Sequence, residues 1–384
     1  MKDFEQELIE LTQKLVRIDS TNPGMQEKNA AEFVYNWLKE EGVEPVKNKI
    51  DNNRFNVIVE ITGSEKLPAL VLTCHVDTVP VRKEEWSKEP FSGDIIDGKL
   101  YGRGSSDMKC GVALGMILMR DLSKSEKKLK RTVRMIMTVD EEDLMLGAVQ
   151  AVKSGYVSQK DYVIDLDSSG NRILSGHKGK AWVELVVKGK ETHVSTPQDG
   201  ANAILGMAKL IQGIYKKIDL MKENKDFGKS YAAFTKIWGG KSISIIPDEC
   251  HQLVDFRIVP PYSVENAYEI IEQSIKEVEQ EIQGIHISYI KIMEKPVINF
   301  YPDSEIVVLC KEAYYQATGK SVEIGTMSGY TDSGVMAAMT GNTSCITFGP
   351  GLYSQAHKVD EYADCDMILE SYKTYKILLQ NLVY

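Results

Sequence analysis

Residues 70–77 read Leu-Val-Leu-Thr-Cys-His-Val-Asp, with Thr78, Val79 and Pro80 following. Apolar and small residues run straight into a histidine and, two positions on, an aspartate. That is the pattern of a buried strand leaving the core at a site. Strand period is two, so His75 and Asp77 point the same way. A histidine that binds metal through one ring nitrogen needs its other nitrogen held by an acceptor, and a carboxylate on the same face can supply it. From this stretch alone, a core histidine satisfied by a neighbouring acid is the plainer account.

Working outward, the same design recurs. The run Thr132 to Val139 reads as a buried strand and ends in Asp140, Glu141, Glu142 and Asp143. Four acids there repel one another unless a cation or several protons are present. Adjacent strand residues face opposite ways, so Glu141 and Glu142 can do different jobs, one holding metal and the other facing substrate. Asp161 to Asp167 is a second short apolar strand that ends on acids. Helices are expected from Asp3 to Ile18, Lys28 to Glu41 and Val112 to Leu122, strands at Asn56 to Ile61 and Ala69 to Cys74, and a loop and hairpin from Trp86 to Leu100. Strand and helix alternate with chemistry at successive strand ends, which fits an α/β sheet whose site lies beyond the carboxyl ends of its strands.

Tyr101 to Lys109 reads Tyr-Gly-Arg-Gly-Ser-Ser-Asp-Met-Lys. Its glycines let the backbone approach something closely, and Asp107 is expected at the start of the helix that follows. The phosphate-loop spacing is missing, and a helix N-cap is the ordinary role for such an aspartate.

From about Lys178 the texture changes. Strands are expected at Lys180 to Lys188, Tyr231 to Trp238, Cys250 to Ile258 and His286 to Ile292, with helices at Gly200 to Lys217 and Val264 to Ile282. Strand, helix, strand, strand, helix, strand is the ferredoxin-like order, so an inserted unit spans 178–294. The first domain, 1–177, resumes over 295–384, with a helix near Ser304 to Thr318. A strand near Ser344 to Phe348 opens into Gly-Pro-Gly-Leu-Tyr-Ser-Gln-Ala-His and delivers His357 on a loop.

The 384 residues allow two domains. A net charge of −9 argues against nucleic acid or an anionic membrane as the main partner. The basic stretch Lys124 to Arg134 is read as a solvated loop between a helix and a strand. The polar start and the lack of any apolar run near the roughly 18 residues of a membrane span point to the cytoplasm. Six scattered cysteines with no Cys-x-x-C pair suggest neither a disulfide framework nor a thiolate zinc site.

Taken together, His75-x-Asp77, Gly-Arg-Gly-Ser-Ser-Asp107, Asp-Glu141-Glu142, the strand-end Asp167, His193-Val-Ser-Thr-Pro and Phe-Gly-Pro-Gly through Gln-Ala-His357 resemble the M20 metallopeptidases, in the right order over nearly the whole chain. The resemblance implies a zinc-peptidase-like α/β catalytic domain, with a mixed central sheet flanked by helices, and an inserted ferredoxin-like lid that also makes a homodimer. It implies two zinc ions per subunit, with cobalt or manganese compatible with the carboxylate-rich ligands. By resemblance Asp107 bridges the metals, His75 and Asp167 complete one, Glu142 and His357 complete the other, Asp77 orients His75, and Glu141 is the general base. Two divalent ions against three carboxylates leave a cationic centre, which suits activation of water near neutral pH and polarisation of an amide carbonyl.

On the lid, His193 resembles the residue that reaches a neighbouring subunit's site and steadies the carbonyl oxygen. Arg257 is a candidate to grip a substrate carboxylate at two points, with a structural salt bridge as the alternative. Gly329, Tyr330 and Thr331 are candidates to line the pocket. His177, His251 and His286 match no motif position. Three positions depart from the pattern: Asp167 stands where the deacylase and carboxypeptidase branches have glutamate, Ser244 where many relatives have asparagine, and Cys110 where glycine is common.

The expected substrate is an N-acyl amino acid, because the segment from Phe348 to His357 looks most like acetylornithine deacetylase. A dipeptidase or exopeptidase on the same centre is the alternative that Asp167 favours. A catalytically silent binding protein is the remaining one.

Overall fold

The computed structural model describes residues 4–384, so the Asp3 end of the first expected helix lies outside the described residues. The chain divides into two compact units. One comprises the residues up to Gly176 with Phe300–Met327 and Thr331–Tyr384; the other comprises His177–Asn299 with Ser328–Tyr330.

In chain order the main strands are β1 (Val46–Lys49), β2 (Phe55–Ile61), β3 (Leu70–His75), β4 (Val133–Thr138), β5 (Tyr162–Ser168), β6 (Ile173–His177), β7 (Gly179–Lys188), β8 (Tyr231–Gly239), β9 (Glu249–Ile258), β10 (His286–Lys295), β11 (Ile324–Met327) and β12 (Cys345–Gly349). The helices are α1 (Phe4–Val16), α2 (Glu27–Glu40), α3 (Cys110–Ser123), α4 (Leu146–Lys153), α5 (Ala203–Asp219), α6 (Val264–Glu281), α7 (Glu305–Thr318), α8 (Asp332–Thr340) and α9 (Cys365–Val383).

The first unit is built on an eight-stranded sheet in the order β1-β2-β4-β3-β5-β12-β6-β11. Its middle, β4-β3-β5-β12, is parallel, while β2 pairs antiparallel to β4 and β6 antiparallel to β12. Every residue of β3, β5 and β12 is buried, as expected of parallel strands covered on both faces. The helices form two layers: α1, α2, α3, α7 and α9 pack in one group, and α4 with α8 in the other. Twelve residues of the α3 helix are buried, Val112, Leu114, Ile117 and Leu118 among them. A helix apolar on all sides belongs inside a core. It comes so close to β5 that a Cβ on Gly111 would meet the Leu166 carbonyl at 2.4 Å.

Because the four middle strands run the same way, their carboxyl ends share one edge. His75 ends β3, Asp167 lies near the end of β5, and the loops after β4 and β12 carry Glu141, Glu142 and His357. The apolar runs end where the acids begin, since ionised side chains are costly inside the sheet layer.

The second unit has the sheet order β8-β9-β7-β10, antiparallel throughout. That is the ferredoxin-like arrangement of strand, helix, strand, strand, helix, strand. Its α5 and α6 cover one face, and buried residues alternate along β9 (Cys250, Gln252, Val254, Phe256, Ile258). His251, Asp255 and Arg257 therefore project from the other face. Among the described residues no helix is long and apolar enough to cross a membrane.

The expected elements form with shifts of one to three residues, but three local expectations change. Asp107 is not at a helix start: its φ of −121° and ψ of 92° are non-helical, and α3 begins only at Cys110. Glu141 and Glu142 are not on a strand, because β4 stops at Thr138 and residues 141–144 form turns. Within the basic stretch Arg131 is buried, its guanidinium lying over the Tyr162 ring.

Candidate metal centre

At the carboxyl edge of the parallel strands, His75 Nε2 lies 3.2 Å from Asp107 Oδ1 and 3.9 Å from Asp167 Oδ1. His357 Nε2 lies 2.9 Å from Glu142 Oε2 and 3.6 Å from Asp107 Oδ2. One oxygen of Asp107 thus faces each histidine. His75, Asp107 and Glu142 offer ligand atoms all within 4.8 Å of one another. Asp107, Glu141 and Asp167 are buried, and so is the side chain of Glu142.

So many acids in so little space change each other's proton affinity. Burial pushes Glu141 well above the usual carboxylate range, and the charge of Glu142 adds to it, against the pull of His75. Burial and the Asp107 charge raise Glu142 and raise Asp167 well above normal. Burial would push His75 down, but its contacts with Asp107 and Asp77 outweigh it and hold the imidazole well up. Burial opposes, and the His75 contact overcomes it, in keeping Asp107 and Asp77 below their ordinary values. The hydrogen bond to Glu142 raises His357. Protons are a costly way to settle this cluster; divalent cations suit two imidazoles with three carboxylates. Glu142 Oε1, buried and without a hydrogen-bond partner among the described residues, fits the same account.

Asp77 does more than the sequence suggests. The closest acceptor to His75 Nδ1 is the Asp77 carbonyl at 3.1 Å, with the carboxylate Oδ1 at 3.6 Å. That carboxylate also accepts the backbone N–H groups of Glu141 (3.2 Å) and Glu142 (3.1 Å). Behind it the Asn22 amide donates to both Asp77 and Asp140, and Arg54 Nη1 donates to Asp140 at 2.7 Å. Asp140 has φ +68°, a left-handed conformation that aspartate tolerates better than most residues. Asn22 and Arg54 escaped the sequence reading, which gave Asp140 no role of its own: Asn22 sits in a Thr-Asn-Pro-Gly turn, and nothing local to it points to an acid 55 residues away.

The other candidates sit as follows. Thr331 is buried, with its hydroxyl 2.9 Å from that of Ser333 and 3.4 Å from that of Thr347. Gly329 and Tyr330 belong to the second unit, where the Tyr330 ring lies 5.2 Å from that of His177. His193 is exposed in the second unit, on a short ladder with Ile245, and its Nδ1 lies 2.7 Å from the Ser195 hydroxyl. Arg257 makes a two-point ion pair with Asp255, at 2.9 and 3.0 Å. His251 lies between Glu184 and Glu249, and burial pushes His177 down to about 3.

Known proteins resemble the chain over nearly its whole length. The sequence profile of Peptidase family M20/M25/M40 matches residues 71–381. A probable succinyl-diaminopimelate desuccinylase of Staphylococcus epidermidis is 25% identical over 399 residues, covering 97% of this chain and 96% of the relative. An M20 family metallo-carboxypeptidase from Sulfolobus solfataricus superposes with a TM-score of 0.80 at 20% identity, covering 97% of this chain and 98% of the other. A Bacillus subtilis protein described as a dinuclear metal-binding M20 peptidase superposes with a TM-score of 0.72 at 18% identity, covering 98% of each. With the family profile matched over most of its length, the chain belongs to peptidase family M20/M25/M40 and is a metal-dependent hydrolase of amide bonds.

Proposed function

We propose that the protein removes the acyl group from an N-acyl amino acid, using two divalent metal ions, zinc in the first instance, held by His75, Asp107, Glu142, Asp167 and His357. The observation that carries this reading is the pair of Asp107 oxygens, one toward His75 and the other toward His357. A carboxylate so placed would hold an ion on each side, one with His75 and Asp167 and the other with Glu142 and His357. Bound there, the ions supply Lewis acidity toward the amide carbonyl and make a proton of a neighbouring water easier to remove.

The chain's own residues do the rest. Glu141 takes the proton from the attacking water and passes it to the leaving nitrogen as the C–N bond breaks, which is worth about 10² to 10⁴ in rate. Its burial raises its proton affinity above that of an ordinary carboxylate, the direction in which a general base is tuned. Asp77 holds the His75 ring and the backbone of Glu141 and Glu142 together. His193 steadies the carbonyl oxygen in a partner's site of a homodimer formed through an inserted lid domain of residues 178–294. Arg257, Gly329 and Thr331 contribute to substrate binding. Six free cysteines, five of them buried, suit a reducing compartment such as the cytoplasm.

Asp167 favours a second reading, in which the same centre acts on dipeptides or takes one residue from a short peptide. The test is a mass-spectrometric hydrolysis screen of zinc-loaded protein against acetyl-ornithine, succinyl-diaminopimelate, other acyl amino acids and a dipeptide set, with Glu141→Ala as the blank. Preference for acyl amino acids is the expected result. Clear preference for dipeptides replaces the first reading with the second.

A further inference from the structure

Four residues beyond His357, the side chain of Glu361 has no exposed surface. A buried carboxylate is costly unless donors surround it. Here they are Arg103 through an ion pair, the backbone N–H of Gly104 at 3.1 Å, that of Ser106 at 2.9 Å and that of Asp107 at 3.0 Å. The Glu361 carbonyl accepts a fifth bond, from the N–H of Gly102 at 2.9 Å. The loop that presents Asp107 is not helical at Asp107 and Met108. The N–H groups of Ser105 and Lys109 donate to the Gly102 and Gly104 carbonyls, and those of Gly104, Ser106 and Asp107 all go to this one side chain.

The rest of the loop is held nearby. Ser106 Oγ accepts the Leu352 N–H at 2.6 Å, and Lys109 Nζ donates to the Ile18 carbonyl at 2.7 Å. Gly351 lies so near that a Cβ there would meet the Ser106 carbonyl at 1.7 Å. None of these contacts reaches the Asp107 N–H; Glu361 does.

We propose that Glu361 is a positioning residue for the metal pair: its carboxylate fixes the backbone of Asp107 so that the two Asp107 oxygens face opposite ions. It also ties the segment carrying His357 to the loop carrying Asp107, so one side chain governs ligands on both sides of the pair. The inference rests on the two-metal reading above.

The test is calorimetric titration of metal-free protein with zinc, and with cobalt for its visible spectrum, comparing wild type with Glu361→Gln. Glutamine keeps the volume but has a single acceptor oxygen, so it cannot serve the whole set of donors. Near-ultraviolet circular dichroism of the metal-free proteins reports whether the fold is kept. The expected result is a native spectrum, a 10- to 100-fold loss of metal affinity and an altered cobalt spectrum.

Glu361→Asp keeps the charge opposite Arg103 but is too short to reach the Asp107 N–H, and a positioning role predicts a similar loss there. Wild-type affinity in both variants overturns the inference, and so does loss of the native spectrum in both, which would make Glu361 a folding residue. Wild-type protein that takes up no metal instead overturns the two-metal reading itself, and this inference with it.

Discussion

Asp77 Oδ2 accepts the backbone N–H of Glu142 at 3.1 Å. A residue at the end of one parallel strand thereby fixes the turn after the next, where the proposed base and a proposed ligand are adjacent. Replacing Asp77 by asparagine leaves one acceptor oxygen and presents an amide to a backbone donor. Turnover should fall about 10- to 100-fold, with weakened metal binding. Steady-state rates together with metal titration check it; unchanged values for both would leave Asp77 without its positioning role.

Glu141 is the proposed base, next in sequence to the proposed ligand Glu142. Glu141→Ala should keep both metals and lose about 10² to 10⁴ in kcat. Metal content by mass spectrometry and kcat on the best substrate are the readouts, and retained activity would assign the base elsewhere.

Glu27 gives a prediction that is independent of metal. It is buried, 3.7 Å from Arg54 Nη1, and neither of its oxygens has a hydrogen-bond partner among the described residues. Burial pushes its carboxyl from 4.5 up to about 7. The folded protein therefore holds this proton more tightly than the unfolded chain does. The stabilisation is complete below about pH 4.5 and is lost as pH rises through 7. Glu27→Gln removes that slope. Compared with wild type, its stability at pH 8 should improve by about 2 to 3 kcal/mol relative to pH 4. Urea midpoints across that range decide it; parallel curves for the two proteins would contradict it.

For His193 the prediction concerns subunits. Mixed His193→Ala and Glu141→Ala proteins, each inactive alone, should recover part of the activity once subunits exchange, because a mixed dimer has one site with both residues intact. No recovery after exchange is demonstrated by mass would show that His193 does not act across a dimer.

The parallel strands and their chemical ends were legible because apolar runs that stop at His75, Asp140 and Asp167 carry their own boundaries. The proposed ligands His75, Glu142 and Asp167 lie at or just past those boundaries, while the full set with Asp107 and His357 comes from the likeness to the M20 metallopeptidases. The supports were not. Nothing in the sequence around Glu361 marks it, and the contact that gives it its place spans 254 residues of chain. Asp107 was expected at a helix start because its neighbours form a good helix; the competing demand of the Glu361 carboxylate draws the loop out of helical geometry. Arg257, by contrast, meets Asp255 two residues earlier on the same strand face, a pairing that strand period alone allows.

The central claim is that Asp107 bridges two metal ions. The most direct measurement is anomalous diffraction at the zinc edge from crystals of zinc-loaded protein. The account predicts two peaks roughly 3.5 to 4 Å apart, one beside His75 and Asp167, the other beside Glu142 and His357, with Asp107 between them. A single peak, or two that do not share Asp107, would contradict it.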